Sequence, residues 1–483
     1  MKCVIGIISM LFSFCATAQL EKKIFDERGF ISITGKIKDY KPGNDNQFIK
    51  FQMMSLNGRV RDTSVYIKDG KFAVIFPFPA EGDIDVFYDH NATTLYARPG
   101  EELKLTIQGN SFQVSGGPSA IANLTIKFRS QIINEKFQIE PDWTNANDSI
   151  FTEQRLSRVA EEVQFIKRFI TQNKVDNKVF ADWAENEIIY NAGFDIIFHC
   201  FAGKRNYQFT HDKLFEYIRK IPINNPNAIR NSAYYRFLQM LAGGIMIIVN
   251  NNPVFDSAVK LNGLNRLLIT LEKTDEAASG IAKELLYYDH ALGFSIPMVD
   301  AQRGRFDSVI TQPLLRKLMA IDRENREKSF VKFDLLKKLK EAKVDENIKR
   351  NLIALFEKKN ADYVFVDFWG TWCGPCMSEM PHYPAFIDSL KNRKIQFLFL
   401  ATETEESSMF EIKNKYKIDG DFIALNQNER RLLENAFGFN SYPSHFLIAP
   451  NSIVIDNSIG RIMSGKEISA YSLMKIRKFV PDK

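Results

Sequence analysis

Cysteine is scarce in this chain, with five in 483 residues. Two of them, Cys3 and Cys15, fall within the first 18 residues, which leaves Cys200, Cys373 and Cys376. An exported protein held together by a disulfide framework carries more cysteines at wider spacing, so a disulfide scaffold is excluded. Blocks of Lys or Arg interleaved with aromatics are also missing. The formal charge of +6 is spread along the whole length, as on a solvated basic surface, and nucleic acid is not an expected partner. Beyond the first residues no run reads as transmembrane. Leu238–Val249 is about a dozen residues, too short to span and better read as a buried helix. No repeat period marks a solenoid.

What is present begins with a leader. Lys2, the apolar run Cys3–Phe14 and the A-x-A site Ala16-Thr17-Ala18 read as a secretory signal, residues 1–18, cleaved before Gln19. Cys15 as a lipid attachment point is disfavoured by bulky Phe14 in front of it. The mature chain is expected to be exported, soluble, and periplasmic or in the cell envelope. Its length suggests about three domains, and 45% apolar with 25% charged residues is the composition of a soluble globular protein.

The pattern changes twice, which predicts a multidomain chain. Residues 19–115 read as a β-sandwich: Phe30–Ile37 and Lys71–Phe76 alternate, Asp69-Gly70 before the latter is a hairpin signal, and Pro99-Gly100 turns the chain into Leu103–Ile107. Gly116-Gly117-Pro118 breaks this pattern. Residues 116–345 read as all-α, with Leu156, Val159, Val163, Ile166 and Ile170 at three- and four-residue steps. Residues 346–483 alternate strand and helix, β-α-β-α-β-β-α, an α/β layered domain with a mixed sheet.

Within that last domain the run 364–381 carries the chemistry. An apolar strand leads into Cys373-Gly374-Pro375-Cys376 and a helix follows. Unpaired N–H groups at a helix start favour a thiolate at Cys373, and Cys376, one turn on, can reach the same sulfur from a more buried place. Cys373 is therefore expected close to solvent, attacking a substrate disulfide, with Cys376 resolving the mixed disulfide. Pro381 should kink the helix. Two other readings of the pair are half a zinc site, for which only His199, Cys200, His382 and His445 offer further ligands, and an inert cystine. No metal or cofactor is expected. Cys200, in an apolar stretch, reads as an inert buried thiol. Asp367 and Glu379 flank the pair in sequence. Near a half-buried sulfur a carboxyl is raised towards neutrality and can take the proton of Cys376. Their plainer readings are a strand-end residue satisfied locally and a solvated residue of the first helical turns.

Asp367-Phe368-Trp369-Gly370-Thr371-Trp372-Cys373-Gly374-Pro375-Cys376 resembles the thioredoxin active-site segment. Continued through Glu379 and Pro381, it resembles the TlpA/ResA-like branch of exported thioredoxin-fold proteins, over roughly 346–483. The N-terminal β region is loosely similar to the small β domain often fused to such proteins. The resemblance implies a thioredoxin-like fold, with Cys373 as nucleophile and Cys376 as resolving cysteine of a redox disulfide. It also implies Asp367 as the buried acid, Glu379 as the glutamate of the exported branch, and Trp372, Gly374, Pro375, Tyr442 and Pro443 as the substrate-binding surface, with a cis bond before Pro443. Phe333–Lys359, charged and helical, departs from the branch, which has a hairpin there. The sheet edge is therefore expected to be closer to plain thioredoxin. Residues 403–416 read as the helix and loop of the branch's insertion.

The function expected is an exported thiol-disulfide oxidoreductase, reducing protein disulfides because Gly-Pro between the cysteines resembles reducing thioredoxins. Its partners would be disulfide-containing protein substrates, apocytochrome c among them, and a membrane thiol-electron carrier that supplies the electrons. A competing reading is a ligand- or partner-binding protein with an accessory or redox-sensing dithiol, motivated by the large helical region. A peroxidase is disfavoured because the Thr-x-x-Cys context is absent.

Overall fold

The computed structural model describes residues 29–483 apart from 44–45, 55–59, 79, 118, 203–210, 252–262, 295, 328–331, 360, 440, 458 and 465–466. The expected leader, with Cys15 and the Ala16-Thr17-Ala18 site, lies outside the described residues.

Eight strands open the described chain: β1 (Phe30–Ile37), β2 (Phe48–Met54), β3 (Val60–Tyr66), β4 (Lys71–Pro77), β5 (Gly82–Tyr88), β6 (Asn91–Ala97), β7 (Glu102–Gln108) and β8 (Ser111–Ser115). They form two four-stranded sheets, β4-β1-β7-β8 and β3-β2-β5-β6. Alternation does the work: every second side chain of β4 is buried. Ile31, Ile33, Phe72, Val74, Leu103 and Leu105 of one sheet meet Phe51, Ile84 and Val86 of the other in a shared core. The Asp69-Gly70 turn is present, with φ of 51° and 71°, but it does not close a hairpin. β3 pairs with β2 and β4 with β1; only Lys68 and Lys71 bridge across the turn. The turn is a corner at which the chain changes sheets, and the N–H of Ile37 donates to the carbonyl of Gly70 at 2.7 Å to pin it to β1.

Helices follow. Ser119–Ile132 lies against β6 and β8, and its Phe128 sits among Phe165, Phe169, Phe180 and Trp183. The helix Asp148–Gln172 buries Phe151, Arg155, Glu162, Phe165, Ile166 and Phe169, a face displaced from the expected aliphatic stripe. Large aromatics bury more apolar surface than Val or Leu, and Arg155 enters the interior because it pairs with Glu162 and Asp195, at 3.0 and 2.8 Å. The expected apolar helix is Ser232–Asn251. By length and composition Ser232–Val249 could cross a membrane, yet 67% of it is buried inside the protein. It packs on Lys178–Ala202, Gly263–Ala277 and Gly280–Gly293, as a core helix does.

The last unit is a thioredoxin-like α/β domain. The strands of its main sheet are β9 (Phe333–Asp334), β10 (Tyr363–Trp369), β11 (Ile395–Thr402), β12 (Asp421–Leu425), β13 (Ser444–Ala449) and β14 (Ile453–Asp456), in the order β12-β11-β10-β13-β14-β9. β10, β11 and β12 run parallel; β13, β14 and β9 join antiparallel. The unit begins at Phe333, ahead of the boundary expected at 346, because β9 completes the sheet edge and Leu335, Leu336 and Leu339 fill the core beneath it. The central strand β10 is buried on both faces. Val364, Val366 and Phe368 point to one side. Phe365 and Trp369 point to the other, where Cys373, Cys376, Tyr383 and Phe399 gather. The helix expected through Leu390 is broken into Gly374–Glu379, a tight turn Met380–His382 and Tyr383–Asp388. Pro381, lacking an N–H, stands at the break.

Candidate active site

The end of β10 delivers the chain into a surface turn. Trp369 is buried, Thr371 and Trp372 are exposed, and the helix Gly374–Glu379 begins at once. Cys373 caps that helix, and the N–H of Cys376 donates to its Sγ at 3.2 Å. The two sulfurs are joined in a disulfide. Cys376 is 1% exposed and Cys373 4%. Cys373 is thus covered, where it is expected close to solvent. In the closed disulfide its sulfur turns inward to Cys376, while its neighbours Trp372, at 50% exposure, and Gly374 form the surface.

Trp372 is held from one edge: its Nε1–H donates to the carbonyl of Thr402 at 2.9 Å. Its ring meets Tyr442 edge-on at 5.3 Å. The Tyr442–Pro443 bond is cis, and the Tyr442 hydroxyl donates to Glu434 at 2.8 Å. Trp372, Gly374, Pro375, Tyr442 and Pro443 therefore occupy one end of the sheet. Cys200 lies elsewhere, half-buried beside Phe151, Ile196 and Tyr217 in the helical region.

Beneath the disulfide lies a buried polar cluster. Asp367 projects from β10 on the Phe365 and Trp369 side. Glu379 is three residues beyond Cys376 on the same helix, which places the two on one face. Both carboxyls are 1% exposed, and both face His445: Nε2 lies 3.2 Å from Asp367 Oδ1 and 3.5 Å from Glu379 Oε2. The Tyr383 hydroxyl donates to Asp367 Oδ2 at 2.7 Å. His445 Nδ1 donates to the carbonyl of Gly460 at 2.6 Å. Arg461 closes the cluster, donating through Nε to Glu379 at 2.7 Å and through Nη2 to Pro375 O at 2.9 Å and Ser378 Oγ at 2.8 Å.

The electrostatics follow from burial and neighbours. Burial pushes the Glu379 carboxyl up; His445 and Arg461 pull it back, Asp367 pushes it up again, and the balance is upward. Burial would lower the imidazole of His445, but Asp367, Glu379 and the Gly460 carbonyl outweigh it and the ring is raised. Tyr383 is raised far above the usual phenol value, by burial first and then by Asp367 and Glu379, and stays a donor. Such a cluster, with Glu379 on the same short helix as Cys376, can hold a proton and release it. His445, weighed in the sequence only as a metal ligand, and Tyr383 and Arg461, not singled out, are the members that sequence reasoning misses. Strand alternation past Pro443 was the one available signal, since it puts His445 and Leu447 on one face.

A strand, a dithiol at a helix start and a cis-proline beside it define a thioredoxin-like site. Residues 336–457 match the model of the AhpC/TSA family. Among curated proteins, the thiol-disulfide oxidoreductase ResA of Bacillus thuringiensis (strain Al Hakam) is 27% identical over 97 residues, 20% of this chain and 54% of that protein. ResA of Geobacillus kaustophilus is 28% identical over 102 residues, 20% of this chain and 57% of that protein. The chain spans about half the length of the curated relatives it matches. Among solved structures, the thioredoxin domain of a thiol-disulfide oxidoreductase from Bacteroides vulgatus is 17% identical, covering 26% of this chain and 84% of that one, with a TM-score of 0.22. A secreted disulfide oxidoreductase of Mycobacterium tuberculosis is 16% identical, covering 24% of this chain and 85% of that one, with a TM-score of 0.20.

Proposed function

We propose that this chain is an exported thiol-disulfide oxidoreductase that reduces protein disulfides. The observation that carries the reading is the Cys373–Cys376 disulfide set under an exposed turn at the start of a helix, with Cys373 as its cap. In the reduced form the N–H of Cys376 is a ready donor to a Cys373 thiolate. That thiolate attacks a substrate disulfide, one substrate sulfur leaves, and Cys376 then attacks Cys373 to release the second. Trp372, next to Cys373 in the chain, and the Tyr442–Pro443 segment, whose tyrosine ring meets it at 5.3 Å, would be the surface on which a substrate backbone lies. Gly374-Pro375 favours the reducing direction, and a membrane dithiol carrier would return the electrons. The proposed substrates are exported proteins with disulfides, apocytochrome c among them.

Insulin reduction with dithiothreitol, on the mature chain, is the test. Wild type should accelerate precipitation, and Cys373→Ser should fall to the uncatalysed rate; equal rates for the two would end this reading. Cys376→Ala should accumulate mixed disulfides through Cys373, visible as adducts that dissolve on adding reductant. A free Cys376→Ala chain in an extract rich in oxidised proteins would contradict the assigned roles.

A further inference from the structure

We propose that His445 is a positioning residue for proton transfer. Its imidazolium bridges Asp367 and Glu379 under the dithiol, so that Glu379 receives the proton of Cys376 when the mixed disulfide is resolved. The proposal rests on the oxidoreductase reading and deepens it.

Three observations converge. The first is register: Asp367 and His445 are directly paired across β10 and β13, so their side chains rise side by side on the face that carries the dithiol. The second is orientation. His445 Nδ1 donates to the Gly460 carbonyl at 2.6 Å, which leaves Nε2 facing Asp367 and Glu379 at 3.2 and 3.5 Å and the Tyr383 hydroxyl at 3.3 Å. The ring is stacked on Phe365 at 5.3 Å and is 5% exposed as a residue, so it has no alternative place to go. The third is charge. Among the described residues, Asp367 from β10, Glu379 and Tyr383 from the broken helix, and Gly460 and Arg461 from the segment after β14 are the polar groups that face or adjoin the ring. Two carboxylates in one buried pocket repel, which favours a retained proton unless cations balance the pair. Of the two acids Arg461 reaches Glu379, whereas His445 lies within 3.5 Å of both.

The step balances. Cys376 loses its proton to the Glu379 carboxylate, and its electron pair attacks the Cys373 sulfur. The bond from Cys373 to the substrate sulfur breaks, and that sulfur leaves with the pair as a thiolate. The Cys373–Cys376 bond is formed, the substrate is reduced, and Glu379 passes its proton to the departing sulfur or to water. Without the imidazolium, burial and Asp367 push the Glu379 carboxyl further up and it becomes a poorer acceptor.

The experiment combines a pH profile with a charge measurement on the full mature chain. For His445→Phe the rate of insulin reduction at pH 7 should drop about tenfold, the acid limb of the profile should move up by about one pH unit, and the rate should recover by alkaline pH. Adding Asp367→Asn to His445→Phe removes the repulsion and should bring the limb back down. In wild type, NMR of labelled histidine should find the His445 ring cationic at pH 7. A loss uniform across pH, or a neutral His445 ring at pH 7, overturns the proposal, and the wild-type titration decides it even if the Phe variant does not fold. Failure of the oxidoreductase reading itself would look different: wild type would not accelerate insulin reduction at any pH, whatever the charge of His445.

Discussion

Gly370, between Trp369 and the dithiol turn, is a glycine for a local reason. A Cβ there would stand 2.7 Å from the carbonyl oxygen of Thr402 and would collide with the indole nitrogen of Trp372. These are the two partners of the hydrogen bond that holds Trp372 in place. Gly370→Ala must therefore push the indole off the end of β11. We expect a stability loss of about 1–3 kcal/mol in urea unfolding and a red-shifted tryptophan emission, and an unchanged spectrum would show that the turn relaxes at no cost. The same stretch explains what sequence can and cannot say at this scale. Strand, Cys373, Cys376 and Glu379 are neighbours in the chain, so local spacing is enough to put them together. His445 reaches Asp367 only through strand pairing, and Arg461 reaches Glu379 from 82 positions further along the chain. No periodicity announces either meeting.

Among elements, the helix pair Gly263–Ala277 and Gly280–Gly293 carries a pH dependence. His290 is buried between them, with Nε2 2.9 Å from the Thr274 hydroxyl, itself bonded to the Thr270 carbonyl at 2.8 Å. Burial pushes the ring down to about 4, from 6.5. An unfolded chain takes up a proton below 6.5 that the folded helix pair refuses, so the contribution of a neutral His290 is complete above 6.5 and is lost as pH falls towards 4. The slope is about 1.4 kcal/mol per pH unit in that window. Urea titrations at pH 7, 6 and 5 should show it, and His290→Gln should flatten it by that amount; equal slopes would mean that His290 is not the group that titrates. Element type was legible where one signal dominated, as in alternating β4 or apolar Ser232–Asn251. It was misread where two signals competed. Asp69-Gly70 has the chemistry of a hairpin turn, yet a sandwich needs corners as well as hairpins, and only the partner of each strand tells them apart. In Asp148–Gln172 the aliphatic stripe is real, but paired Arg155 and Glu162 and a run of phenylalanines take the inner face. Charge pairing of that kind is invisible before the partner Asp195 is in place.

At the scale of the molecule, the β-sandwich is docked onto the α/β domain, and no local pattern foretold that docking. Phe48 of β2 is buried with Leu335, Phe356 and Leu432 of the other unit. On the helix Gln427–Phe437, Asn428 accepts from the N–H of Gln47 at 3.3 Å and donates to the Gly43 carbonyl at 3.1 Å. Asn435 donates to the Ser64 carbonyl at 3.3 Å. A cavity of about 290 Å³ remains beside this contact, lined by Lys50, Phe87 and His90 from the sandwich and Glu403, Arg430 and Arg431 from the α/β domain. Arg430 links the contact to the dithiol end of the sheet, because its guanidinium lies 5.5 Å from the ring of Tyr442. Truncating Phe48 removes apolar burial worth about 3–5 kcal/mol, and truncating Asn428 deletes two hydrogen bonds worth about 1 kcal/mol each. The double variant Phe48→Ala with Asn428→Ala should therefore loosen the junction and leave each core intact. Hydrogen exchange reads the difference: amides of β2 and of Gln427–Phe437 should exchange at least tenfold faster, whereas those of β10, central in its sheet and buried on both faces, should not change. Acceleration in β10 would mean that the sandwich is part of the cooperative unit that holds the dithiol, and protection everywhere would mean that other contacts carry the junction.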